Sequence, residues 1–128
     1  MGLDIDFLDL RGEDRLYLRN HWQLMDLIFD QPHVRVRPEY DDIYVTPPML
    51  ENVLDRIEDE MDANGMLSGA ITPQQPQTQE DFLEGLPSGF CSSGPDSWVA
   101  ALPHYRILVS RLLTLARDQG ALICSWSA

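Results

Sequence analysis

The chain has 128 residues, with 21 acids against 9 bases, a formal net charge of −12 and 44% hydrophobic residues. This is the size of one domain, 1–128, long enough to bury a core without a disulfide or metal staple. The basic residues are all arginine. The charge argues against direct contact with nucleic acid or an anionic membrane and suits a partner protein with a basic surface.

No apolar run approaches the ~18 residues of a membrane helix, and the N-terminus lacks a basic, apolar signal pattern, so neither spanning nor export is expected. Cys91 and Cys124 form no C-x-x-C pair and fit no zinc spacing. Two thiols in a chain with its own core point to reduced cysteines in a cytoplasm.

In chain order, Leu3 to Leu8 alternate apolar and acidic residues and predict a strand with one wet face. Arg11-Gly12 is a turn. A helix is expected from about Glu13 to Asp30, because Tyr17, Leu18, His21, Trp22, Leu24, Met25, Ile28 and Phe29 fall on one broad face. His33 to Arg37 and Asp42 to Val45 read as short strands. Thr46-Pro47 is a helix start, with Thr46 as cap, and Asn64-Gly65 is its end. Residues 66–80, rich in Gln, Pro and Thr, are expected to be an exposed loop. Thr78-x-x-Asp81 resembles a capping box for a short helix through Leu86. A second exposed loop is expected over 87–95. Then a first helical turn over Ser97 to Leu102, a main body from Pro103 to Gln119 and a closing strand from Ala121 to Trp126 complete the chain. The third long helix is apolar around much of its circumference and is expected to be the most buried. The fold class expected is α+β: a small, mainly antiparallel sheet, its N- and C-terminal strands paired, packed on three helices.

Charge is concentrated on the second helix. With Leu50 at zero and about 100° per residue, Leu50, Val53, Leu54, Ile57 and Met61 lie within about 60° of each other's mean direction. Glu51, Asp55, Glu58, Asp59 and Asp62 form a separate stripe, and no lysine interleaves them. Like charges at i and i+4, as in Glu51/Asp55 and Asp55/Asp59, cost a few tenths of a kcal/mol per pair. One reading is a solvated face; the other is a binding surface offering phosphate-like charge to a basic groove.

Catalytic constellations do not assemble. His21, His33 and His104 are not brought together by helical spacing, and His21 reads as a satisfied core histidine. There is no Walker lysine, no G-x-G-x-x-G and no G-x-S-x-G. Alternation and exposure account for Asp4 and Asp6, so no metal is assigned to the Asp4, Asp6, Asp9 set. The chain is expected not to be an enzyme, and no cofactor or metal is expected.

The order of motifs nonetheless resembles a group of small phage and prophage proteins that begin MGLD and carry an SGFFFGS-type loop. The residues concerned are Met1-Gly2-Leu3-Asp4, Tyr17-Leu18-Arg19-Asn20, Ile43-Tyr44-Val45-Thr46, Leu86-Pro87-Ser88-Gly89-Phe90, Asp96-Ser97-Trp98 and Cys124-Ser125-Trp126. Met25 stands where that group often has His, and Cys91-Ser92-Ser93 where it has Phe-Phe-Gly, so no polar role is carried to those positions. The resemblance implies a mobile-element context and no chemistry. The function expected is a small acidic inhibitor, anti-CRISPR-like and a possible nucleic-acid mimic. It would bind a basic, nucleic-acid-binding defence protein in a host cytoplasm through Glu51, Asp55, Glu58, Asp59 and Asp62. Two alternatives stand beside it: an immunity protein for a cognate toxin, and a small enzyme or ligand binder using residues 86–95.

Overall fold

Alternation decides the sheet. Leu3, Ile5 and Phe7 are buried while Asp4 and Asp6 lie on the other face. The computed structural model describes residues 2–66, 69–71 and 75–128. Strands β1 (Asp4–Leu8), β2 (Asp14–Arg19), β3 (Ile43–Val45) and β4 (Leu122–Ser127) form an antiparallel sheet in the order β2-β1-β4-β3. The terminal strands pair as expected, with Ile5 opposite Trp126 and Phe7 opposite Cys124. Helices α1 (Trp22–Phe29), α2 (Pro47–Ala63) and α4 (Trp98–Gln119) make the three-helix layer, joined by the five-residue α3 (Gln79–Leu83).

The helix expected over 13–30 divides in two. Its first part is β2, hairpinned onto β1 through the Arg11-Gly12 turn, where Gly12 has a φ of 87°. Asp9 closes that turn by accepting from the Arg11 and Glu13 amides. Leu16 and Leu18 point inward and Tyr17 outward, a period of two, whereas the expected helical face joined Tyr17 to Leu18 and left Leu16 out. Asn20 then takes a φ of 64°, which no helix continues through. The expected strand over 33–37 reduces to a single bridge, Arg35 to Ile43, because Pro32 and Pro38 bracket it.

Two edges of the sheet are covered. The Gln79 side chain accepts from the Tyr17 amide at 2.7 Å and donates to the Tyr17 carbonyl at 2.9 Å, standing in for a neighbouring strand on β2. The Arg19 amide donates to the Cys91 carbonyl. On the other side, residues 34–36 bond back to Asp42 and Tyr44. Such covering blocks pairing with a second chain.

Helix α2 has the expected bounds, but Thr46 makes no side-chain cap bond. Pro48, at the second helical position, removes one of the two amides it could have served. The Thr78/Asp81 capping box is present, and Ser97 caps α4 by accepting from the Ala100 amide. Helix α4 is continuous through Pro103; the carbonyl that loses its partner belongs to exposed Val99. Nine buried residues line α4, among them Tyr105, Leu108, Leu112 and Leu115, and it lies at the centre of the core. Arg111 donates to the carbonyls of Phe82 and Glu84 and so caps the end of α3.

Of the loop expected over 66–80, residues 67, 68 and 72–74 lie outside the described residues. The rest is not uniformly exposed: Met66 packs against the core, Pro76 is buried, and the Gln77 carbonyl accepts from Arg15. Cys91 and Cys124 are both free thiols, and burial raises the Cys124 pKa to about 12, which leaves it unreactive. Among the described residues no helix is long and apolar enough to cross a membrane.

Candidate functional site

The acidic stripe of α2 splits into paired and unpaired carboxylates. Helices α2 and α4 run antiparallel, and α4 supplies two cations to the stripe. Arg117 reaches Glu51 at 3.1 Å and Arg106 reaches Glu58 at 3.3 Å. Arg106 is only 15% exposed, so the Glu58 pair joins the two helices rather than hanging in solvent. Beyond them Asp55, Asp59 and Asp62 are exposed and have no ion-pair partner among the described residues. The five predicted residues do share one helix face, but only these three keep their charge unneutralised. Sequence periodicity located the stripe; it carried no information about which arginines of a distant helix would reach back to it.

The opposite flank of α2 adds acids that the sequence reading left out. Glu60 accepts from the Trp98 indole N–H at 3.1 Å and lies 3.9 Å from Arg56. It faces Asp26 and Asp30 of α1 across a groove of about 240 Å³. The signal was present, since Asp26 and Asp30 lie one turn apart on the polar side of α1, but the pairing of α1 with α2 was not readable. Gln31 stitches the two helices, donating to the Leu27 and Met49 carbonyls and accepting from Asn52.

Arginines are consumed internally. Arg15, Arg19, Arg35, Arg37, Arg56, Arg106 and Arg117 all sit in ion pairs, and Arg111 is spent on carbonyls. Arg15 grips Asp9, which is 1% exposed. Burial opposes the Asp9 charge, yet the Glu13 and Arg11 amides and the Arg15 guanidinium outweigh it and lower its pKa. Asp4 likewise sits below the usual carboxylate range, held first by Tyr17 at 2.5 Å, against an opposing cost of burial, and then by Arg19 at 2.7 Å. Both are therefore occupied structurally. Asp6, which faces solvent beside Asp4 and Asp14, is shifted the other way, first by burial and then by those two charges.

The segment over 87–95 is a loop, as expected, and exposed at Pro87, Ser88, Gly89, Ser92 and Ser93, but one residue anchors it. Phe90 is buried between His21, His104 and Tyr105. Its carbonyl accepts from His21 Nε2 at 2.7 Å, which makes Nδ1 the acceptor for the Tyr105 hydroxyl at 2.6 Å. His21 is thus a fully buried, fully bonded histidine at the start of α1, as its apolar neighbours suggested. Gly94 packs on the Asn20 carbonyl so closely that any side chain would collide with it. Between this pinned segment and α4 lies an open cavity of about 410 Å³, reached by Phe90, Ser93, Asp96, Ser97 and His104 but not by Ser92 or Trp98. The Ser92 and Ser93 hydroxyls both donate to the Gly89 carbonyl. They are turn-forming groups here. Comparison with protein-family models, curated proteins and solved structures finds no match to this chain.

Proposed function

We propose that the chain is a non-enzymatic binding protein that docks the outer face of α2 onto the basic groove of a nucleic-acid-binding protein and so blocks it. The setting proposed is a host cytoplasm, with the chain acting as a mobile-element inhibitor of a defence protein. One observation carries the reading: the arginines are nearly all engaged within the fold, while Asp55, Asp59 and Asp62 stand side by side on α2 with their charges free among the described residues. A field of that sign attracts a basic partner and speeds encounter. Helical spacing supports mimicry, since carboxylates repeating along one helix flank offer regularly spaced negative charge.

The test is capture from host lysate on wild-type and Asp55→Lys/Asp59→Lys baits, at low and high salt. A basic nucleic-acid-binding protein retained by the wild type, released by salt and lost on the variant is the expected result. Equal recovery on both baits contradicts it. An immunity protein would use the same surface, and a toxin gene alongside would identify that case. The 410 Å³ cavity beside Phe90 and His104 favours a second reading, small-ligand binding. A metabolite that raises the melting temperature of the wild type, but not of a His104→Trp variant that fills the cavity, would establish it.

A further inference from the structure

The groove between α1 and α2 has the make-up of a side-chain receptor. Leu27 and Trp98 give it an apolar part, and it adjoins a second hollow of about 180 Å³ that Leu27 and Val53 line. Its walls carry three carboxylates, Asp26, Asp30 and Glu60. A single cation, Arg56, lines both hollows. It is held loosely, with its Nε 3.9 Å from Glu60 and its side chain 62% exposed. The walls are fixed in advance, because Gln31 ties α1 to α2 by three hydrogen bonds. One turn before Asp26, Trp22 lies 45% exposed at the head of α1, an aromatic of the kind that anchors interfaces.

Resting on the function proposed above, we infer that this groove receives an arginine side chain of the basic partner, its stem on Leu27 and Trp98 and its guanidinium among Asp26, Asp30 and Glu60. Arg56 is the internal stand-in that the incoming group displaces. The chemistry selects arginine over lysine. A planar fork of five donors serves several carboxylates at once and stacks on an indole face, whereas an ammonium is a strongly hydrated point charge.

The probe is an acetylated, amidated octa-arginine peptide, with octa-lysine as control, titrated into 15N-labelled full-length protein at low salt. The readouts are the Trp98 indole N–H, now bonded to Glu60, and the side-chain amides of Gln31 and Asn52. Octa-arginine should shift these signals at a several-fold lower concentration than octa-lysine. Asp26→Asn/Asp30→Asn should weaken the arginine peptide several-fold and remove the arginine preference. Asp55→Asn/Asp59→Asn, which removes the same charge, should leave the Trp98 shift and the preference intact. Arg56→Ala should tighten binding. Melting curves confirm that each variant is folded. Equal shifts from both peptides, or equal losses from the two Asp→Asn pairs, would overturn the groove and leave the acidic surface standing. No binding of either peptide at low salt would overturn the acidic-surface reading itself.

Discussion

Tyr105→Phe tests whether the buried His21 network holds the 87–95 segment to the core. The change removes one hydroxyl and keeps the ring that packs on Phe90 and Trp98. It leaves His21 Nδ1, in a residue with no solvent exposure, without the donor now 2.6 Å away. An orphaned buried acceptor costs ~1–3 kcal/mol. For a chain of this length that lowers the melting temperature by roughly 3–5 °C per kcal/mol. The network also makes a pH prediction. Burial lowers the His21 pKa below its ordinary 6.5, against an opposing pull from the Phe90 carbonyl. The unfolded chain then takes up a proton near pH 6.5 that the folded chain refuses. Stability is full above that pH and falls as the solution is acidified toward the folded-state pKa, by at most ~1.4 kcal/mol per pH unit. Urea denaturation followed by circular dichroism between pH 7.5 and 5.5 reads both effects, and His21→Phe should flatten the slope. A Tyr105→Phe loss below ~0.5 kcal/mol, with a slope that survives in His21→Phe, would refute the reasoning.

Three further outcomes follow from the packing. Leu108→Ala and Leu112→Ala, both fully buried on α4, should each cost ~2–5 kcal/mol in chemical denaturation. Gln79→Ala uncovers the Tyr17 amide and carbonyl on the outer edge of β2, and sedimentation should show a shift toward larger species at high concentration. Trp126→Phe should change stability by less than ~1 kcal/mol despite the lost ring, because the buried Trp126 indole N–H has no hydrogen-bond partner among the described residues.

Local rules carried the reading of the sequence where they agreed with one another. Helix α2 was legible to its end residues, since Pro47 starts it, Asn64-Gly65 stops it and five core residues repeat at helical spacing between. The pairing of β1 with β4 was legible because both alternate. The segment 14–19 was misread because Tyr17 and Leu18 extend the broad helical face of α1 backwards, and only the hairpin to β1 exposes the alternation of Leu16, Tyr17 and Leu18. The 87–95 segment reads as loop from its Ser, Gly and Pro content, and it is one. What pins it, Phe90 against His21 and Tyr105, joins residues 69 and 84 positions from His21, beyond any local pattern. The acidic stripe was visible as a period, whereas its division between paired and free carboxylates depends on where Arg106 and Arg117 land across the helix interface.

The most direct measurement of the central claim is the partner affinity and melting temperature of Asp55→Lys/Asp59→Lys, taken side by side with the wild type. The two substitutions reverse charge at the middle of the exposed half of α2, where neither side chain is buried or in an ion pair among the described residues. Lysine is a good helix former, and the new ammonium groups gain Glu51 and Asp62 as neighbours at helical spacing. The expected result is an unchanged or slightly higher melting temperature, association slowed by at least about tenfold, and a weaker salt dependence of what binding remains. An unchanged affinity on an equally stable fold would contradict it and assign the stripe to solvation.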